Sequence, residues 1–349
     1  MTETPKRFRI ALTADFFTPD GSTRYPDIGL NVLDGHENVE WVPFAEHRPH
    51  IGADQITDAN GVVVLTPAVT AETVSAGRDL LAVGRFGVGY DAVDVSACTR
   101  ADVAVFITTG AVDRSVAEAT VGWMIALSHH ARMKDALVRA GRWEERSRYM
   151  GRELRDRTFG AIGFGGIARA TVGLLAVFGM KPPLTYDPFL DLDAAARAGV
   201  RAVTLDELLA EADFVSIHCP LNDQTRNLIG ARELALMKPD AYLINTARGG
   251  IIDEDALHDA LISRTIAGAA LDCFADEPVT QPHRFGLLDN VLLAPHCIAW
   301  TDELFRDIGR AVFQGMLDLS TGKRPRGTVN PEVFDRPGFQ QKWARLRSS

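Results

Sequence analysis

Between Thr158 and Ala294 the chain alternates short apolar runs with helix-length segments; the runs cover residues 158–163, 184–186, 201–203, 213–217, 241–245, 266–271 and 291–294. Apolar runs of this length, separated by helical stretches, read as parallel strands buried on both faces. Crossovers of this size force parallel pairing and a right-handed, doubly wound sheet. Two helix starts are marked: Thr204-Leu-Asp-Glu207 is a capping box, and Asp253-Glu-Asp255 places acids in a first turn. In such sheets ligands bind outside the carboxyl ends of the strands.

The first hundred residues form a second, smaller α/β pattern, with candidate strands at 8–12, 39–42, 61–65, 81–84 and 103–106. A total of 349 residues exceeds one ordinary core, so two domains are expected. Between them, Val116, Thr120, Trp123, Met124 and Leu127 recur at helical steps, predicting one helix over 113–139, capped by Asp113 or Ser115. Its length suits a subunit interface, and a homodimer is expected. Thr301-Asp302 opens a last helix to about residue 319. A basic tail follows, with Lys323, Arg324, Arg326, Arg336, Lys342, Arg345 and Arg347, and is read as a solvated or packing extension.

Gly163-Phe-Gly165-Gly166-Ile167-Ala168 follows one predicted strand and opens a predicted helix, as a dinucleotide loop must. The first glycine permits the turn, the second lets a pyrophosphate reach the backbone, and the small last residue lets helix and strand pack. The helix start then offers free N–H groups to phosphate. Asp187 ends the next strand, 24 residues after Gly163, where a carboxylate can accept from an adenosine ribose and repel a 2′-phosphate. NAD is therefore expected over NADP.

Three ionisable residues lie at or just past other strand ends: Arg248 after 241–246, Glu277 after 266–271, and His296 after 291–294. A guanidinium matches a carboxylate, and an imidazole backed by an acid can move a proton near neutral pH. Together they read as a catalytic set for reducing a carbonyl, where the alkoxide formed needs a cation and a proton donor. Each alone also fits an ordinary structural role.

These residues resemble the D-isomer-specific 2-hydroxyacid dehydrogenase family over roughly residues 60–305. The resemblance rests on Gly84-Arg-Phe-Gly-Val-Gly-Tyr-Asp91, Ser115-Val-Ala-Glu118, the Gly163 loop, His218-Cys-Pro-Leu221, Asn245-Thr-Ala-Arg-Gly249, Asp272-x-Phe-x-x-Glu-Pro278 and Pro295-His296. It implies a Rossmann-type, doubly wound NAD domain (109–301) inserted in a smaller flavodoxin-like substrate domain (1–108 and 302–349), with the substrate cleft between them and closure on binding. It also implies NAD-dependent interconversion of a 2-oxo acid and a D-2-hydroxy acid. Arg248 is then the carboxylate clamp, His296 the acid/base and Glu277 its partner. The Val88 and Gly89 amides join in gripping the substrate. Gly163, Gly165, Gly166, Ile167 and Asp187 serve the cofactor; Cys219, Thr246 and Asp272 fall near its nicotinamide half and Thr225 near its phosphates.

Three positions depart from the family pattern or extend it. Gly166 stands where many members carry Arg, which removes a pyrophosphate contact. Trp300, four residues past His296, is bulky enough to reshape a pocket or to pack into the core. Arg85 resembles the phosphoglycerate-type pattern, in which it would face a distal anion, a reading that is kept open but not preferred. Rival readings are a phosphoglycerate-, phosphonate- or formate-oxidising enzyme, the last disfavoured by Glu277, and a non-enzymatic NAD(H)-sensing regulator.

A net charge of −9 argues against nucleic acid. Cys98, Cys219, Cys273 and Cys297 show no CxxC pair, so neither metal nor disulfide is expected. A Cys297–His296 nucleophile is set aside, because adjacent extended residues face apart. No apolar run is long enough to span a membrane, the first residues carry no leader pattern, and the cytoplasm is expected.

Overall fold

The computed structural model describes residues 7–347 and divides into two compact units. One runs to Val112 and resumes at Thr301; the other is Asp113–Trp300. Residues 1–6, on which the leader expectation rests, lie outside the described residues.

The first unit holds a five-stranded parallel sheet of β1 (Phe8–Leu12), β2 (Val39–Pro43), β3 (Gly61–Val64), β4 (Ala82–Arg85) and β5 (Ala104–Ile107), in the order β2-β1-β3-β4-β5. That is the flavodoxin-like order. β3 is buried at every residue, as a central strand covered on both faces should be. The helix Asp302–Ser320 starts where Thr301 Oγ1 accepts from the Leu304 amide at 3.1 Å, and it buries Leu304, Phe305, Ile308, Val312, Phe313 and Met316. Gly309 is obligatory there, because a Cβ would lie 1.8 Å from the Ile28 carbonyl oxygen.

The basic tail packs rather than dangles. Phe339 is fully buried in the helix Pro337–Arg347, and Lys342 Nζ donates to the Ala101 carbonyl at 2.7 Å. Asn330 ties this return to edge strand β5. Its Oδ1 accepts from the Val105 amide at 2.8 Å, and its Nδ2 donates to the Val103 carbonyl and Thr99 Oγ1.

The second unit holds seven parallel strands in the order β12-β11-β10-β9-β6-β7-β8. They are β6 (Phe159–Ile162), β7 (Leu184–Tyr186), β8 (Arg201–Ala202), β9 (Phe214–Ile217), β10 (Tyr242–Asn245), β11 (Gly268–Leu271) and β12 (Val291–Leu293). From β6 the chain winds one way to β7 and β8, then crosses back to β9 beside β6, which puts the topological switch point at the Gly163 loop. β6, β9, β10 and β11 are buried throughout. The Thr204–Glu207 capping box forms, and Asp253 Oδ1 caps the helix Glu254–Ile262.

The expected helix over 113–139 is two helices, Asp113–Ser128 and Ala131–Arg139. His130 between them has φ +51°, a left-handed conformation that no helix interior accepts. The side-chain periodicity carries across the break and conceals it. Neither proposed cap serves either: Asp113 is the first helical residue, and the Ser115 hydroxyl donates to the Ala299 carbonyl. Among the described residues, no helix is long and apolar enough to cross a membrane.

Replacing Asn330 by Ala leaves buried β5 backbone groups unpaired, so it should lower stability by about 2 kcal/mol. Urea unfolding followed by far-UV dichroism measures it; a loss under about 0.5 kcal/mol, the range of neutral surface changes, would mean the tail is not held through this residue.

Candidate active site

The strand ends of the second unit bring the expected residues to one edge of the sheet. β6 stops at Gly163, where φ is +92° and a Cβ would lie 2.9 Å from the Cys219 nitrogen. Both the turn and the approach of the β9 end exclude a side chain. Gly165 has nothing within 4 Å of where its Cβ would stand, so the loop's outer face is an open cradle before the helix Gly166–Leu175. Ala168 is fully buried, as the close helix–strand packing requires. Asp187, past β7, turns back to this loop: Oδ2 accepts from the Phe164 amide at 2.9 Å and Oδ1 from the Phe189 amide at 2.8 Å.

Past β9, His218 Nε2 is shielded from solvent with no hydrogen-bond partner, and burial pulls that ring down to about 4, so it stays neutral. Burial also pushes the Cys219 thiol up to about 11. Thr225 Oγ1 donates to the Pro220 carbonyl at 2.6 Å and accepts from the Asn222 amide, which closes a local turn.

Past β10, buried Asn245 builds the next turn. Its Oδ1 accepts from the Ala247 amide at 3.0 Å and its Nδ2 donates to the Arg248 carbonyl at 2.8 Å. That Asx-type turn presents Arg248. Gly249 lets it dock on the next loop, since a Cβ would lie 1.7 Å from the Phe274 carbonyl oxygen. Thr246 Oγ1 is buried without a hydrogen-bond partner.

Asp272, past β11, is buried and its carboxyl is raised by that burial, with the Ile298 and Cys297 amides acting against the rise. Its Oδ1 accepts from Cys297 N at 2.9 Å and Ile298 N at 3.1 Å, and its carbonyl accepts from His296 N at 2.8 Å. These bonds hold His296 at φ +54°, a costly left-handed conformation for a histidine.

Glu277 completes the group. Its Oε1 accepts from the Phe274 amide at 2.8 Å and its Oε2 lies 2.8 Å from His296 Nδ1. Burial raises this carboxyl, but the bonds from His296 and Phe274 and the charges of His296 and Arg248 outweigh it, leaving it below the usual carboxylate range. An ionised Glu277 only accepts, so Nδ1 carries the proton and Nε2 is left for a reacting partner. The imidazole side chain is 46% exposed, which leaves it reachable.

Among the described residues, no contact joins the Cys297 thiol to the His296 ring. Trp300 is 52% exposed, so it does not pack into the core. In the first unit, Arg85 Nε donates to the Gly89 carbonyl at 2.8 Å and Nη1 to the Phe86 carbonyl. Its guanidinium holds the loop. The Val88 and Gly89 amides themselves make no hydrogen bond among the described residues.

Asn245, Asp113 and Ser115 were not assigned these duties from sequence. Asn245 could have been, from its place one residue before Thr246 in a strand-to-turn junction. Asp113 could not, because its contact spans distant residues: the missing Cβ of Gly166 would sit 1.9 Å from Asp113 Oδ2.

The open face at Gly165 and the orphan Thr246 hydroxyl fit a dinucleotide. The profile of the D-isomer specific 2-hydroxyacid dehydrogenase NAD binding domain matches residues 121–297. The chain belongs to this family. It is 33% identical over 322 residues to a glyoxylate reductase of Korarchaeum cryptofilum, covering 90% of this chain and 97% of that one. It is 38% identical over 273 residues to a D-3-phosphoglycerate dehydrogenase of Synechocystis sp., covering 77% of this chain and 49% of the other, so it spans about half the length of that relative. A solved glyoxylate reductase from Paecilomyes thermophila shares the fold with a TM-score of 0.79 at 28% identity, over 94% of this chain and 99% of that one. NAD is the cofactor of the matched domain.

The Asp113 carboxylate over Gly166 occupies the positive end of the helix Gly166–Leu175. A pyrophosphate there meets a like charge, worth about 0.5–1 kcal/mol near a surface. Asp113→Asn should tighten NADH about two- to fivefold, with the gain shrinking as salt rises. Fluorescence titration at two ionic strengths measures it, and an unchanged affinity would remove Asp113 from the phosphate site.

Proposed function

We propose that the chain is an NAD-dependent oxidoreductase interconverting a 2-oxo acid and its D-2-hydroxy acid. The observation that carries this reading is the 2.8 Å pair between His296 Nδ1 and Glu277 Oε2, on a loop neighbouring the turn that presents Arg248. NAD, when bound, supplies or takes the hydride. Gly163, Gly165, Gly166 and Ile167 form its phosphate cradle, and Asp187, Cys219, Thr225, Thr246 and Asp272 are its remaining proposed neighbours.

Arg248 clamps the substrate carboxylate and polarises the 2-oxo group, and the Val88 and Gly89 amides are further proposed carboxylate donors. His296 Nε2 gives a proton to the forming alkoxide on reduction and takes it back on oxidation, a contribution of about 10²–10⁴-fold. Glu277 acts through the histidine: it fixes the ring through Nδ1. Asp272 holds the loop that carries that ring.

The glyoxylate reductase relative, covered almost end to end, supports a short 2-oxo acid as substrate. The phosphoglycerate-type relative supports 3-phosphohydroxypyruvate as the second reading, and the engagement of Arg85 by loop carbonyls argues against it. We also propose a homodimer, supported by Ile125 and Val138, exposed on the helix pair after Asp113, and by Trp143 and Met150, exposed in the segment that follows it, with the cytoplasm as the working location.

His296→Ala should lower NADH oxidation with glyoxylate by about 10²–10⁴-fold while NADH binding, read by fluorescence, stays within about twofold. A panel of glyoxylate, hydroxypyruvate, pyruvate, phenylpyruvate and 3-phosphohydroxypyruvate identifies the acid; NADH oxidation with none of them would refute the assignment. Glu277→Gln weakens the bond that fixes the ring at Nδ1, so kcat with glyoxylate should fall at least about tenfold while NADH binding stays within about twofold. A kcat equal to that of the parent protein would show that Glu277 does not act through the ring.

A further inference from the structure

Cys273 brings a thiol into the group just described. Its Sγ, a Glu277 carboxylate oxygen and a His296 ring nitrogen all lie within 4.8 Å of one another. Cys273 is buried, and its thiol donates to the Ala247 carbonyl across 3.5 Å, a long sulfur hydrogen bond. One thiolate, one imidazole and one carboxylate are a donor set that Zn²⁺ takes, at about 2.0–2.3 Å from each, with a fourth position left to water. Tetrahedral ligands stand about 3.6 Å apart at those bond lengths. The 2.8 Å Glu277–His296 pair must therefore open slightly and the thiol approach by about 1 Å.

The rest of the cage is already fixed by backbone. The Phe274 amide holds Glu277 Oε1, and Asp272 holds the His296 loop. Side-chain exposures of 46% at His296 and 33% at Glu277 give an ion a way in.

We propose that Cys273, Glu277 and His296 form an inhibitory binding site for Zn²⁺ or a similar thiophilic divalent ion. Binding forms bonds from the metal to Sγ, Nδ1 and a Glu277 oxygen; the thiol proton is released to solvent, and the ring proton passes from Nδ1 to Nε2, so the imidazole stays neutral. No electron is transferred. The metal takes the place of the Nδ1–H···Glu277 bond, so the ring can no longer cycle through the imidazolium. The inhibition rests on the acid/base reading of His296; the metal site does not. Spacing along the sequence hides it, because its ligands come from two strand ends and one of them lies 19 residues from the next, at Glu277 and His296.

Co²⁺ tests the site without any assay of turnover. Titrated into the whole protein, it should produce a near-ultraviolet thiolate-to-cobalt charge-transfer band that Zn²⁺ bleaches by displacement. The band should be lost in Cys273→Ser and in the closer-packing Cys273→Val, and kept in Cys219→Ser and Cys297→Ser. In the NADH-oxidation assay, Zn²⁺ should inhibit reversibly to chelator, and both Cys273 variants should need at least about tenfold more zinc. A band that survives in folded Cys273 variants, or that depends on Cys297, overturns the proposal. No band in an active enzyme overturns the metal site and leaves the redox reading intact; a band in a protein inactive towards every 2-oxo acid does the reverse.

Discussion

The buried Asp272 carboxylate governs the geometry of everything that acts chemically here. It sits at the end of β11, is desolvated, and resolves that cost by accepting the Cys297 and Ile298 amides, while its own carbonyl takes the His296 amide. Those bonds oblige His296 to hold a left-handed backbone conformation that it would not adopt alone. The ring is thereby turned to Glu277, whose second oxygen is itself pinned by the Phe274 amide. A strand end, two turns and four backbone amides thus set the position of one imidazole. Preorganisation of this kind is what lets a proton donor act without first having to be oriented.

Glycines make the neighbouring loops possible. Gly249 lets the Arg248 turn lie against the Phe274 backbone, so the cation and the acid–imidazole pair share one edge. Gly163 lets β6 end against β9 at the switch point, while Gly165 leaves the outer face bare. The orphan Thr246 hydroxyl lies on the β10 turn beside them. The glycine loop and the acid–imidazole pair are therefore two parts of one row of strand ends.

Much of this was legible in the residues. The parallel order of both sheets followed from short apolar runs with helical crossovers, because burial on both faces and the reach of a crossover leave few alternatives. Arg248, Glu277 and His296 could be picked out because they follow strands, and strand ends share an edge. What stayed hidden depends on contacts between distant residues or on backbone dihedrals. The helix break at His130 leaves the apolar spacing almost intact. Asp113 looked like a cap until it was found over Gly166. Asp272 looked like a cofactor contact, and its Oδ1 proves to grip the histidine loop. Cys273 looked like one of four scattered thiols, and its place beside Glu277 and His296 arises only where two strand ends meet.

The central claim is that Glu277 holds the proton-bearing Nδ1 of His296 and leaves Nε2 to the substrate. Nitrogen-15 NMR of histidine-labelled protein reads that directly in the neutral ring. The account predicts a hydrogen-bonded, strongly downfield Nδ1–H and a bare Nε2 for His296, with the downfield proton lost in Glu277→Gln. A ring protonated on Nε2, or a proton resonance indifferent to Glu277, would contradict it.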